Sequence, residues 1–178
     1  MPLEVLIRPA RETDTSEVLA VVRDAFSAGT DGGREEVEIV EAICSRNGTV
    51  PGCDLVAVAG GEIVGHLLAS IGRLNEVEIP GIAPLAVRSD RQRQGVGSAL
   101  VAEALRQLEA QRFPIVVLLG DPNYYERFGF GPSGPSGIHY LPVGMNNPHF
   151  QVLQLNEARG ALTGEYVYNW EFHANSHP

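Results

Sequence analysis

The segment RQRQGVGSAL, residues 91–100, sets two glycines one residue apart where a strand-like run gives way to a helix-like one. A strand ending at Val87, a polar turn from Arg88 to Gln94 and a helix starting near Gly95 aim several free backbone N–H groups at one point. Gly95 and Gly97 have no side chains, so an anion can come within hydrogen-bonding distance of the amides, and the positive end of the helix dipole adds to the attraction. Arg91 and Arg93 add charge at the rim. Such a point binds phosphate. The same glycines also suit a tight strand-to-helix turn with nothing bound, and a lone G-x-G is compatible with either use. Two nucleotide motifs are absent: there is no G-x-x-x-x-G-K-[ST], and the third glycine of the dinucleotide fingerprint is missing, with Ala99 and Leu100 nearby instead.

The surrounding elements must hold that turn. Glu4 to Arg8 reads as an edge strand. Asp14 with Glu17 makes a capping box for a helix bearing Val18, Leu19, Val21, Val22, Ala25 and Phe26 on one face. A second amphipathic helix, with Val37, Val40, Ile43 and Cys44 inward, stops at Asn47-Gly48. Leu55 to Ala59, Gly60-Gly61 and Glu62 to Ile71 read as a hairpin, and Val77 to Val87 as the strand entering the glycine turn. Val96 to Leu108 is a helix with Leu100, Val101, Leu105 and Leu108 facing inward. PIVVLLG, 114–120, is a short apolar run suited to a strand covered on both faces. A helical PNYYERF, a Gly/Pro-rich loop over 129–137, and strands over 150–155 and 165–172 follow. The fold class is α+β, mixed α/β, with a mixed sheet.

Bulk properties narrow the function. A chain of 178 residues suits one domain with a real core. Its net charge of -9 argues against a general nucleic-acid binder, which needs surplus Lys and Arg, and favours a cationic or neutral partner. Cys44 and Cys53 have no Cys or His at close ligand spacing, so neither a disulfide framework nor a metal site is expected. Both read as reduced residues of a cytoplasmic protein. The N-terminus turns charged too early for a signal peptide, and no apolar run reaches the roughly 18 residues of a membrane span, so no membrane partner is expected.

The stretch PLAVRSDRQRQGVGSALV resembles the acetyl-CoA-binding signature of the GNAT N-acetyltransferase superfamily, with Gln92, Arg93, Gln94, Gly95, Val96 and Gly97 standing on its Q/R-x-x-G-x-G/A. YYERFGF, 124–130, resembles the tyrosine-bearing segment that follows the fifth strand in that family. GEIVGHLLAS, GIAPLAV, GDPNYYERFGF and FQVLQL extend the resemblance over most of the chain, towards the YhbS-like branch. It implies a GNAT fold: a central mixed, mostly antiparallel sheet, splayed between its fourth and fifth strands and flanked by helices. Residues 1–178 would form a single domain, with 131–178 a C-terminal extension completing the sheet.

The resemblance also implies acetyl-CoA as cosubstrate and no metal. The pantetheine arm would pair with the strand end at Leu85, Ala86 and Val87, and the pyrophosphate would take the turn at Gln92, Arg93, Gln94, Gly95, Val96, Gly97 and Ser98. The activity implied is N-acetyltransfer to a primary amine, on a small molecule or a protein, by direct attack in a ternary complex. Tyr125 would be the general acid for the leaving thiolate, since a phenol of pKa near 10 stays protonated at neutral pH beside a thiolate of about 8.5. Tyr124, about 100° around the helix, competes for that role, and packing beside Phe128 and Phe130 is the plainer alternative. A backbone N–H of Leu85 or Ala86 is the simplest oxyanion donor.

Glu76 and Glu78, two apart on a strand, offer a base or an acceptor contact, although solvated carboxylates account for them equally. Glu35, Glu36, Glu38 and Glu41 either line the entrance for a cationic acceptor or form a solvated acidic face. His66 shares a face with Val64 and Leu68 and reads as a hydrogen-bonded core histidine. The fifth strand departs from many relatives by ending VVLLGDP, with no polar side chain before Gly120; Asp121-Pro122 caps the next helix instead. The alternation of Tyr166, Tyr168, Trp170 and Phe172 suggests a strand with one aromatic face, which also suits a homodimer; monomer and homodimer both stay open. Residues 174–178 read as frayed. Two other readings stand beside the enzyme: a non-catalytic acyl-CoA-binding or sensing module, and an O-acyl or longer-chain acyltransferase.

Overall fold

The computed structural model describes residues 4–158 and 160–173, so the fraying expected at 174–178 lies outside the described residues. In chain order the elements are β1 (Leu6–Pro9), α1 (Thr15–Ala25), α2 (Arg34–Ser45), β2 (Thr49–Ala59), β3 (Glu62–Leu74), β4 (Val77–Val87) and α3 (Val96–Ala110). They continue with β5 (Ile115–Leu119), α4 (Pro122–Tyr125), β6 (Gly131–Pro132), β7 (Ile138–His139), β8 (Phe150–Gln154) and β9 (Gly164–Val167). Two compact units share strands β3 and β4: Met1–Ala69 with Pro84–Gln107, and Ser70–Ala83 with Leu108–Pro178.

In the first unit the strand order is β1-β2-β3-β4, with β1 antiparallel to β2 at the edge. Helices α1 and α2 bury Val18, Val21 and Val22, and Val37, Val40 and Ile43. Each such side chain contributes about 1.5–3 kcal/mol on leaving water. Cys44, expected on the buried face of α2, is exposed. The expected capping box at Asp14 is also not made. A 3-10 turn over Glu12–Asp14 precedes α1, and the Asp14 side chain caps nothing in that helix. Its carboxylate instead accepts from Arg8 Nη1 at 2.6 Å, Arg8 Nη2 at 3.1 Å and Arg11 N at 2.8 Å. A bidentate guanidinium is a stronger partner than a helix N–H and wins the carboxylate. His66 is fully buried, with Nε2 2.9 Å from Asp54 Oδ1, as a hydrogen-bonded core histidine should be.

In the second unit the order is β3-β4-β5-β8-β6, and β9 pairs with both β3 and β7. Strand β5 is antiparallel to β8 and parallel to β4, a mixed and mostly antiparallel arrangement. The β4–β5 ladder has two rungs, Gly81↔Val117 and Ile82↔Leu118, whereas β4 itself runs on to Val87. The core joins Ile79, Val117 and Phe150 to Tyr140, Tyr166 and Tyr168. The aromatic alternation near the C-terminus therefore does not run along a single strand as expected. Strand β9 ends at Val167, residues 169–173 form a 3-10 turn, and Tyr166 and Tyr168 are buried.

Candidate active site

In the first unit, β4 passes into a 3-10 turn over Ser89–Arg91 and then into α3. The connection folds on itself: Arg91 N donates to Arg88 O at 2.8 Å, Gln92 Nε2 to Val87 O at 3.2 Å and Gln94 Nε2 to Asp90 O at 3.0 Å. Gln92 and Gln94 thus brace the turn with their side-chain amides. Arg93 and Gly95 both take the left-handed conformation, with φ of 58° and 89°. Left-handed residues set between right-handed and extended ones turn successive N–H groups towards one concavity, which is an anion nest. From Gln92 to Gly95 the chain is exposed, and Ala99 N closes the first helical bond on Gly95 O at 3.0 Å. The amides before it have no intrahelical acceptor.

Val96 holds the helix start down. It is 1% exposed, and a Cβ placed on Gly65 of β3 would stand 2.9 Å from Val96 Cγ1, 3.0 Å from Leu100 Cδ1 and 3.3 Å from Ala86 O. Glycine at 65 is what lets α3 begin so close to the sheet. Leu85 and Val87 are half-buried and Ala86 is buried, on the strand that feeds the nest. Asp24 of α1 accepts from Ser89 N at 2.6 Å, and Arg88 is held by Glu62 at 3.0 Å and Asp90 at 2.7 Å. The Asp24–Ser89 and Glu62–Arg88 anchors were not anticipated from the sequence, because each joins residues distant along the chain. With two carboxylates on Arg88, the free cationic charge at the rim falls to Arg93, which is exposed, with Arg91 half-buried beside Asp90 at 3.7 Å.

In the second unit, Tyr125 closes α4. Asp121 is the N-cap, accepting from Asn123 N at 3.0 Å with Pro122 in the first turn, as expected. Tyr125 is 9% exposed, with its ring 5.8 Å from Phe130 and 4.9 Å from Tyr124, edge-on to both. Burial, and secondarily Tyr124, push its phenol above the usual range, so it remains a proton donor. Tyr124 has another partner: the Arg127 guanidinium sits 4.8 Å over its ring.

Gly120 turns out to set the place of Tyr125, since a Cβ there would lie 2.4 Å from Tyr125 Cε2. Its carbonyl is held by Gln151 Nε2 at 3.1 Å, with His149 Nδ1 also at 3.1 Å. The two glutamates differ from expectation. Glu76 lies in the Asn75-Glu76 turn and only Glu78 is on β4, so they share no strand face, and both are exposed. Glu78 stands four residues before the last β4–β5 rung, roughly 13 Å along an extended strand. Glu35, Glu38 and Glu41 are exposed along α2, and Glu36 is half-buried.

Residues 6–133 match the family model described as an acetyltransferase (GNAT) domain. The uncharacterized N-acetyltransferase YjhQ of Escherichia coli K12 is 30% identical over 142 residues, 78% of this chain and 76% of that protein. The crystal structure of the Escherichia coli GNAT family N-acetyltransferase YhbS in complex with CoA superposes with a TM-score of 0.80 at 30% identity, covering 96% of this chain and 93% of that one. A GNAT family acetyltransferase from Brucella melitensis in complex with acetyl-CoA gives 0.75 at 29% identity, covering 93% and 96%. No group of His, Cys, Asp and Glu among the described residues could hold a metal, and no helix there is long and apolar enough to cross a membrane.

Proposed function

Because the chain belongs to the GNAT acetyltransferase family, we propose that it carries the acetyl group of acetyl-CoA to a primary amine by direct attack in a ternary complex. The observation that carries this reading is the exposed nest from Gln92 to Gly95 at the start of α3, whose amides suit a diphosphate. The amides of residues 93–98 would take the pyrophosphate, and the backbone of Leu85, Ala86 and Val87 would pair with the pantetheine arm.

The amine nitrogen forms the new C–N bond at the thioester carbon, the carbonyl oxygen gains charge, and the C–S bond then breaks. A backbone N–H of Leu85 or Ala86 stabilises the oxyanion, and Tyr125 delivers the proton to the sulfur. At reference values the transfer from phenol to thiolate is uphill by about 2 kcal/mol, and the burial that raises the Tyr125 phenol adds to that. The phenolate regains its proton from the one the nitrogen loses. Glu76 and Glu78 receive no role. The exposed acidic residues of α2 and the net charge of -9 favour a cationic acceptor, a small amine or a protein amino group. A cytoplasmic location belongs to the same proposal, as does a reduced state for Cys44 and Cys53. Burial pushes the Cys53 thiol up to about 12, which keeps it unreactive.

The test is thiol release from acetyl-CoA across a panel of amines. Amine-dependent release supports the proposal and begins to name the acceptor. Binding of acetyl-CoA without release from any amine would favour a sensing module.

A further inference from the structure

The reaction above gives the leaving sulfur an acid but names no group for the proton that the amine nitrogen loses. The second unit holds a histidine beside that acid. Strands β5 and β8 pair antiparallel as far as Leu119↔Phe150, and Gly120 N donates to His149 O at 2.9 Å, so the ladder runs one step further and sets His149 opposite Gly120. Residues directly opposite in an antiparallel pair leave the sheet on the same face, with Cβ positions about 5 Å apart. A Cβ on Gly120 would lie 2.4 Å from Tyr125 Cε2. The His149 side chain therefore rises from the face that carries the Tyr125 ring, and it is exposed.

One bond orients its ring. His149 N is drawn to Asn147 Oδ1 at 2.8 Å, which leaves the Gly120 carbonyl to the ring, and Nδ1 stands 3.1 Å from Gly120 O. A carbonyl only accepts, so Nδ1 carries the proton and, in the neutral ring, Nε2 is a bare lone pair. Gln151 Nε2 donates to the same oxygen at 3.1 Å and fills its other lone pair. Gln151 is 1% exposed and serves as a fixed brace, whereas the His149 Nε2 has no hydrogen-bond partner among the described residues. The other ionisable groups nearby are occupied or absent. The Tyr124 ring lies under Arg127, and Asp121 accepts from Asn123 N and Nδ2 at 3.0 and 3.1 Å. Residues 141–148 and strand β8 contain none. On α4 that leaves Tyr125.

We propose that His149 is the base of the transfer, with Nε2 taking the proton that the amine nitrogen loses as the C–N bond forms. Tyr125 gives its proton to the sulfur as the C–S bond breaks. The His149 imidazolium then returns a proton to the phenolate, so both groups end the cycle as they began it. This rests on the acetyltransferase reading and names a group that the reading leaves open, from beyond the 6–133 segment that matches the family model.

The test measures kcat against pH for the wild type, His149→Asn and Gln151→Met, using the amine of the panel above that gives the fastest thiol release. An asparagine amide can still donate to Gly120 O, so His149→Asn keeps the orienting bond and removes the base. Its turnover should fall roughly 100-fold, the lower end for a lost proton-transfer group, because water can stand in at an exposed position. Its profile should also lose the ascending limb that a histidine base contributes on the acid side, while the ionisation of the amine itself is common to all three proteins. Gln151→Met removes the buried donor instead, and it should lower Tm and keep that limb. A limb that persists in His149→Asn overturns the assignment, as does wild-type turnover in that variant. Loss of the limb in Gln151→Met overturns it too, because the limb would then report the Gly120 carbonyl and not the imidazole. Wild-type protein that releases no thiol with any amine would instead remove the acetyltransferase reading, and this assignment with it.

Discussion

The turn at residues 88–98 and the tyrosine at 125 are each set by a close-packed glycine, but they are determined in different ways. The turn is built mostly from its own sequence: Gln92 reaches Val87, Gln94 reaches Asp90, and Arg93 and Gly95 supply the left-handed steps. Its working groups are backbone amides, whose direction follows from local chain conformation. Tyr125 receives from its own neighbours only a cap at Asp121. The position of its ring depends on Gly120, whose carbonyl is fixed by residues about thirty positions downstream, and on Phe130. Anion binding is therefore a local property here, while acid catalysis by Tyr125 is a tertiary one.

If that division is right, binding and turnover separate by mutation. The largest effect belongs to Tyr125→Phe: turnover should fall roughly 100- to 10,000-fold while acetyl-CoA affinity stays unchanged, and equal turnover would move the role to Tyr124 or to water. Gly120→Ala comes next. Its Cβ would meet Tyr125 Cε2 at 2.4 Å, and the ring would have to shift. A displacement of that size should lower turnover by about 100-fold, again with affinity for acetyl-CoA retained.

Gly65→Ala probes the other region. The added methyl would press on Val96 and Leu100, at an overpacking penalty of about 1–3 kcal/mol, and disturb the start of α3. Weaker acetyl-CoA binding with near-normal turnover at saturation is expected, and a turnover defect at saturation would blur the division.

Asp14→Asn is the scaffold control and should alter neither binding nor turnover. The Arg8 guanidinium holds the Asp14 carboxyl at about 2, below its usual 3.8. A depressed folded-state value stabilises the protein above the unfolded pKa, and that stability is lost as pH falls from about 4 towards 2. Its size is about 2 kcal/mol. The acid limb of a Tm-against-pH profile should accordingly flatten in the variant.

The same division explains what could be read from the sequence. The β2–β3 hairpin, the full extent of β4 and the start of α3 at Val96 were legible because two-residue periodicity, the Gly-Gly turn and the strand-to-helix glycines are local signals. Gly65 and Gly120 were not, since nothing near them in the chain says which side chain will press on them. Asp14 misled for a related reason: its spacing to Glu17 suits a capping box, but Arg8, six residues away, takes the carboxylate in the folded chain. Glu76 was placed on a strand by alternation, and the two-residue turn at Asn75, with φ of 51°, took it off. Tyr168 was read as one of an aromatic row along a single strand, but β9 ends at Val167 and Tyr168 lies buried beyond it.

The central claim is that the amides around Gly95 and Gly97 hold the diphosphate of acetyl-CoA. Calorimetric titration of acetyl-CoA into the wild type, Gly97→Val and Tyr125→Phe tests it most directly. The account predicts binding by the wild type, the same affinity in Tyr125→Phe, and a loss of about tenfold or more in Gly97→Val, where a side chain enters the space left for the anion. Wild-type affinity in Gly97→Val would contradict it.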